Sequence, residues 1–244
     1  VELDPRFTMA YVRLSIAHAR MYWFRYDRSQ DRVAEAKHAI DMAVQLDPDH
    51  PEVHFGLGVY HYMCLLDYQR ALEEFALASQ KQPNRSEYIE YTGYVYRRQG
   101  KMDQAIASLK KAIDVDPRTP MTAFNIGETY ALMRNLPEAE RYYDRALFLS
   151  PSYMRAYSLK ARLYLNVAGD VPKALATLEE ASSKLASSDD GMIMYPWILA
   201  EILGRNYQGA LKRLSSVSAE AFNEQFYFVP KSQFLAQAYG LMGN

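Results

Sequence analysis

The sequence predicts an all-α protein, a solenoid of antiparallel helix pairs, and three observations carry that expectation. Prolines recur at Pro48, Pro83, Pro117 and Pro151, separated by 35, 34 and 34 residues, each closing a helical stretch such as AIASLKKAIDVDP. Between them small residues return in register, Gly58, Gly93 and Gly127 followed by Ala71, Ala105 and Ala139. Helix breakers are scarce, 11 Gly and 11 Pro in 244 residues, whereas tyrosine is abundant at 20. A fixed period decides the architecture first, because each repeat is one helical unit that buries its apolar face only by stacking on the next.

Each element follows from the same register. The first repeat is expected over 8–48, with Tyr11 and Leu14 in place but its small residue late, at Ala36, which implies about nine extra residues around MYWFRYDRSQD against the usual period. Clear repeats are expected over 51–83 (His54, Leu57, Gly58, His61), 86–117 (Ile89, Thr92, Gly93, Tyr96), 120–151 (Ala123, Ile126, Gly127, Tyr130) and 154–182 (Tyr157, Ala161, Tyr164). A degenerate repeat spans 192–217, around Tyr207 and Ala210, and a half-repeat spans 231–244. Glycine facing alanine lets paired helices approach closely, with tyrosine filling the space beside them. Proline ends the second helix because it lacks an N–H and disfavours helical geometry in the residue before it. Thr119 before Pro120 reads as an N-cap that restarts the chain.

The residues resemble the tetratricopeptide repeat, whose signature is W-x-x-L-G-x-x-Y, then A-x-x-x-F, then P. The resemblance implies a right-handed superhelix, one solenoid over 1–244, with a concave face lined by the first helix of each pair. It further implies that Phe55, Val59, Glu90, Tyr91, Tyr94, Arg98, Phe124, Asn125, Glu128, Ser158 and Arg162 point into that groove. Rings supply contact area at low entropy cost and Asn or Arg fixes a peptide backbone, so the expected partner is a protein or peptide. The alternative for the rings is packing between helices, as for any helical aromatic stripe. A chaperone-type clamp for a terminal carboxylate is absent: the corresponding places carry Val12, Ile16, Gly56, Glu87 and Tyr91, or in the next frame Phe55, Val59, Tyr91, Met121 and Asn125.

The long first repeat is similar to the tetratricopeptide tails of bacterial signalling proteins, which follow a cyclase, kinase or winged-helix domain. The chain opens on the repeat ending LDP at Leu3 to Pro5 and closes on AQAYGLMGN, so it reads as a piece of a longer protein. The expected role is a non-catalytic regulatory or sensory scaffold in the cytoplasm, with the periplasm left open. The alternatives are a fragment of a cyclase, kinase or glycosyltransferase-type enzyme whose catalytic domain lies elsewhere, and a homodimer formed through the solenoid ends.

Composition narrows the remaining classes. The formal net charge is -1, with 49% hydrophobic and 23% charged residues, and neither half of the chain carries an excess of one sign. This argues against a polybasic nucleic-acid binder. In the segment MYWFRYDR, Tyr22, Trp23, Phe24 and Tyr26 interleave with Arg20, Arg25 and Arg28, yet Asp27 and Asp31 dilute the charge, leaving packing or docking ahead of nucleic acid. No apolar run approaches the roughly 20 residues of a membrane helix, so no membrane insertion is expected. The single cysteine, Cys64, excludes an internal disulfide and reads as a small buried hydrophobe. His50, His54 and His61 could suggest a metal, but His61 occupies the tyrosine slot of its repeat and reads as a hydrogen-bonded packing residue. No phosphate loop, nucleophile elbow or zinc-protease motif is present, so neither cofactor nor metal is expected. Asp189 and Asp190 read as a turn in a Ser-rich loop.

Overall fold

The amphipathic stretches fold as helix pairs in a computed structural model that describes residues 6–184, 191–217, 221–224 and 227–243. The LDP copy at the start and the Asp189–Asp190 turn lie outside the described residues. The chain falls into two compact units, Val1–Pro117 and Arg118–Asn244.

In the first unit the helices are α1 (Thr8–Trp23), α2 (Gln30–Leu46), α3 (Pro51–Tyr60), α4 (Tyr68–Lys81), α5 (Ser86–Arg98) and α6 (Met102–Val115). Consecutive helices pair, and Val12, Ile16, Ile40, Phe55, Phe75 and Tyr88 form a continuous core across all three pairs up to α5. The glycine–alanine crossing is as close as the sequence requires. A Cβ added at Gly93 would lie 2.8 Å from Leu109 Cγ and 3.2 Å from the Ala105 carbonyl oxygen. In the first pair Ser15 takes the glycine's place, and its hydroxyl donates to the Ala36 carbonyl at 2.8 Å. The extra residues of that repeat lengthen α1 to 16 residues, against 13 in α5, and fill the turn before α2.

The second unit contains α7 (Pro120–Leu132), α8 (Leu136–Leu149), α9 (Met154–Leu163), α10 (Val171–Lys184), α11 (Gly191–Leu203), α12 (Tyr207–Ser216) and α13 (Lys231–Met242). Between α12 and α13 lies an element that the periodicity did not predict, a two-stranded antiparallel ladder of β1 (Ala221–Glu224) and β2 (Tyr227–Pro230), with Ala221 opposite Pro230. Its strands are too short to carry a periodic signal. Among the described residues the other elements are helices, an all-α stack of helix pairs.

Turns within pairs come in two kinds. After α5, α7 and α11 the chain closes with a left-handed residue, Gly100 (φ 76), Arg134 (φ 57) or Arg205 (φ 59). The next N–H returns to a carbonyl five residues back, as in Lys101 N to Tyr96 O at 2.9 Å and Asn135 N to Tyr130 O at 2.9 Å. After α3 and α9 the helix widens into one π turn, His61–Leu65 and Tyr164–Ala168, before Leu66 (φ 57) and Gly169 (φ 67). The spacing of small residues explains the difference. Gly93 to Ala105 and Gly127 to Ala139 are twelve apart, whereas Gly58 to Ala71 and Ala161 to Ala174 are thirteen. The π turn absorbs the additional residue without moving the helix crossing.

Capping is concentrated on the second helices. Ser29, Asp67, Asn135 and Asn206 each accept a first-turn N–H, at 3.2 to 3.4 Å. Asp170 does the same for Lys173 N at 3.0 Å. Lys101 stands at the N-cap of α6 and cannot. The expectation for Thr119 is corrected in part: it is the N-cap and Pro120 the first helical residue, but its side chain makes no capping bond.

Pro196 lies inside α11 and has no N–H for the Met192 carbonyl. The Ser158 hydroxyl, from α9, donates to that carbonyl at 2.8 Å. A buried serine thus satisfies a backbone acceptor that the helix itself cannot.

Candidate functional site

In the first unit the inward residues of α1, α3 and α5 meet around Tyr91. Its ring lies 5.1 Å from Phe55 and 5.2 Å from Tyr94, and its hydroxyl accepts from Arg20 Nη2 at 2.8 Å. The lengthened α1 carries Trp23 beyond this cluster, where it packs on Tyr62 at 4.9 Å. The Arg98 guanidinium covers the same indole at 4.9 Å and bonds to Tyr62. The Arg97 guanidinium stands 5.4 Å from the centre of the Tyr94 ring. Burial, with the Glu90 carboxylate that its hydroxyl bonds, holds Tyr94 well above the ordinary phenol range, so it stays a neutral donor. Burial raises Tyr91 and Tyr62 in the same direction.

A charged network adjoins the rings. Glu52 is buried and accepts from Arg13 Nη2 at 3.0 Å, Arg85 Nη2 at 2.5 Å and the Tyr88 hydroxyl at 2.9 Å. Glu87 lies 3.9 Å from Arg13 Nη1 and 3.7 Å from Arg20 Nη2. Arg13 and Arg20 stay nearly half exposed, with side-chain accessibilities of 47% and 45%.

The structure divides the residues expected in the groove. Phe55, Val59 and Phe124 are completely or almost completely buried and serve as core, because neighbouring helices cover the side of the first helix that bears them. Tyr91 and Glu90 are buried beneath the face, while Tyr94 is half-buried and Arg98 exposed on it. In the second unit Asn125 is buried and its amide donates to the Met121 carbonyl of its own helix at 2.9 Å. Glu128 is half-buried, 3.9 Å from Arg155, whose guanidinium covers Phe124 at 5.0 Å. Arg162 is half-buried and lies over Tyr195 at 5.3 Å. Ser158 is buried with its hydroxyl on Met192.

Arg13 and Glu52 were not anticipated, Arg20 only as part of the aromatic–arginine segment around Trp23, and Glu87 only as a place where a clamp is missing. Their signal is nevertheless in the spacing: Arg13 and Arg20 are two helical turns apart, and Glu52 and Glu87 one repeat apart.

His54 Nδ1 is 2.7 Å from Glu74 Oε2. His61 occupies the tyrosine slot, but its Nδ1 is buried without a hydrogen-bond partner, and burial lowers its pKa. The hydrogen-bonded state expected for it is therefore not found at that atom. Burial pushes the Cys64 thiol up to about 12, which leaves little thiolate for nucleophilic chemistry. Among the described residues no three His, Cys, Asp or Glu side chains are placed to hold a metal ion, and no helix is long and apolar enough to cross a membrane.

Comparison with known proteins agrees with this architecture. The family model for the tetratricopeptide repeat matches residues 23–86 and 124–189, and a second model for the same repeat matches 93–133. Protein FlbA of Caulobacter vibrioides is 24% identical over 227 residues, covering 91% of this chain and 36% of its own length. Anaphase-promoting complex subunit 3 of Schizosaccharomyces pombe is 26% identical over 147 residues, covering 60% of this chain and 22% of its own. The chain thus spans about a third or less of these relatives. Among solved structures, Pseudomonas aeruginosa pilF superposes with a TM-score of 0.65 at 16% identity, covering 85% of this chain and 89% of that one. YrrB, described as a TPR protein with an unusual peptide-binding site, superposes with a TM-score of 0.51 at 18% identity, covering 80% and 94%. Repeat spacing, paired helices and family match converge, and the chain belongs to the tetratricopeptide repeat family.

Proposed function

We propose that the chain is a non-catalytic scaffold that binds a peptide or protein segment on the α1–α3–α5 face of its first unit. The observation that carries the reading is the half-exposed cluster of Trp23, Tyr94, Arg97 and Arg98 beside Arg13 and Arg20. Amphipathic rings held in place by guanidinium groups offer contact area at little entropic cost, and the arginines supply directional donors. Glu128 and Arg162, half-buried in the second unit, are its candidate contacts there.

The wider role we assign is the regulatory or sensory part of a larger bacterial signalling protein. Supporting it is the match to the bacterial protein FlbA, which takes in nine-tenths of this chain but about a third of FlbA. Reading the coding sequence on both sides of Val1–Asn244 tests that role, and neighbouring segments without a signalling domain would remove it. A second reading, self-association, rests on α13, whose Tyr239 and Leu241 are exposed. Light scattering that finds only monomer removes it.

The binding assignment is tested by selecting ligands from a random-peptide phage library on the intact chain. Trp23→Ala combined with Tyr94→Ala is expected to weaken the selected peptides by more than about tenfold. Unchanged affinity in a variant with native circular dichroism would place binding elsewhere.

A further inference from the structure

The charged network on the first unit contains more cation than anion. Arg85, Glu52, Arg13, Glu87 and Arg20 alternate in sign, so three guanidinium groups share two carboxylates. This local excess stands in a chain whose formal net charge is -1. Distances split the network in two. The pairs of Glu52 are direct hydrogen bonds to a carboxylate with 6% side-chain exposure, and they tie α1, α3 and the start of α5 together. The contacts of Glu87, at 3.9 and 3.7 Å, are longer than a hydrogen bond, and its side chain is 31% exposed. Glu87 attracts Arg13 and Arg20 through space without taking up their forked donors.

Resting on the reading of this face as a binding surface, we propose that its ligand is an acidic peptide, with an Asp or Glu side chain entering between Arg13 and Arg20 in place of Glu87. The two arginines lie about 10 Å apart along one face of α1, by the helical rise, so a carboxylate between them can accept from either or both. Tyr94 interacts electrostatically with Arg20, and Trp23 follows Arg20 by about one turn of α1, so an apolar neighbour of that acid can meet these rings. A single-stranded nucleic acid fits less well. The acidic residues Glu52 and Glu87 interrupt the run of cations that successive phosphates need.

The test uses fluorescence anisotropy on the intact chain with three labelled probes: a peptide of alternating Glu and Phe, the same peptide with Gln for Glu, and oligothymidine. The Glu peptide should bind at least about tenfold more tightly than the Gln peptide, and the difference should shrink as salt is added. Arg20→Gln should reduce binding of the Glu peptide about tenfold while leaving the Gln peptide unchanged. Glu87→Gln should strengthen binding of the Glu peptide severalfold, a gain that a folding defect cannot imitate. Weaker binding in Glu87→Gln, or a preference for oligothymidine, overturns the proposal. Equal affinity for the two peptides, lost in Trp23→Ala, overturns the acidic ligand and leaves the binding face standing. Failure of both peptides to bind overturns the two together.

Discussion

The two units place similar side chains on their first helices and employ them differently. In the first unit the polar groups of α1, α3 and α5 bond to one another across helices, and Arg13 and Arg20 keep about half of their surface. In the second, Glu128 and Arg155 of adjacent first helices stand 3.9 Å apart, while Asn125, Thr129 and Ser158 bond to the backbone carbonyls of Met121, Asn125 and Met192. The position in the repeat is shared, so the neighbouring residue decides the outcome. Where adjacent first helices bring several Glu and Arg together, as Arg13, Arg20, Glu52 and Glu87 do, a charged surface forms; small polar side chains such as Ser15 and Ser158 instead turn inward to backbone carbonyls.

Substitutions at these places should separate the units. The largest effect is expected at Gly93, where even a Cβ would crowd Leu109 and the Ala105 carbonyl. Gly93→Leu should destabilise the first unit by about 3 kcal/mol, through overpacking, seen as a lower denaturation midpoint and loss of peptide binding. A smaller loss belongs to the second unit. Ser158→Ala leaves the Met192 carbonyl facing Pro196 without the hydroxyl and should cost about 1–3 kcal/mol by urea denaturation, with binding at the first unit preserved.

A gain is expected at Lys101. Every other second helix with a described cap begins with Ser, Asp or Asn bonded to its first turn. Lys101→Asp should therefore stabilise the first unit by about 1 kcal/mol in the same assay. The smallest effect concerns acid. Burial holds His61 below its ordinary value of 6.5, so the unfolded chain takes up that proton more readily than the folded one. Its contribution to stability is present above pH 6.5 and lost as pH falls through the lower folded value. His61→Tyr, which installs the residue found at Tyr96, Tyr130 and Tyr164, should flatten the decline of denaturation midpoint over that range.

Much of the fold is legible in the sequence because helix crossings leave a period. Gly93 with Ala105 and Gly127 with Ala139 must be small for steric reasons, and the residue types announce the pairs. Even the π turns have a trace, the thirteen-residue interval at Gly58–Ala71 and Ala161–Ala174. The face was harder to read. A helical register places Phe55, Tyr91 and Phe124 on related sides of their helices, but whether a ring ends in the core or at the surface depends on how the adjacent repeat covers it. Arg13 acquires its role only because Glu52 and Glu87 lie on later helices. The bond from Ser158 to Met192 joins residues 34 positions apart and answers a proline that breaks the helical pattern locally. The short ladder at 221–230 follows no helical period.

The central claim, that the α1–α3–α5 face of the first unit receives the partner, is tested most directly by amide hydrogen exchange of the intact chain with and without a peptide selected on it. The account predicts added protection concentrated in Thr8–Trp23 and Ser86–Arg98, with Met154–Leu163 unchanged. Protection centred on the helices of the second unit, with α1 and α5 unaffected, would contradict it.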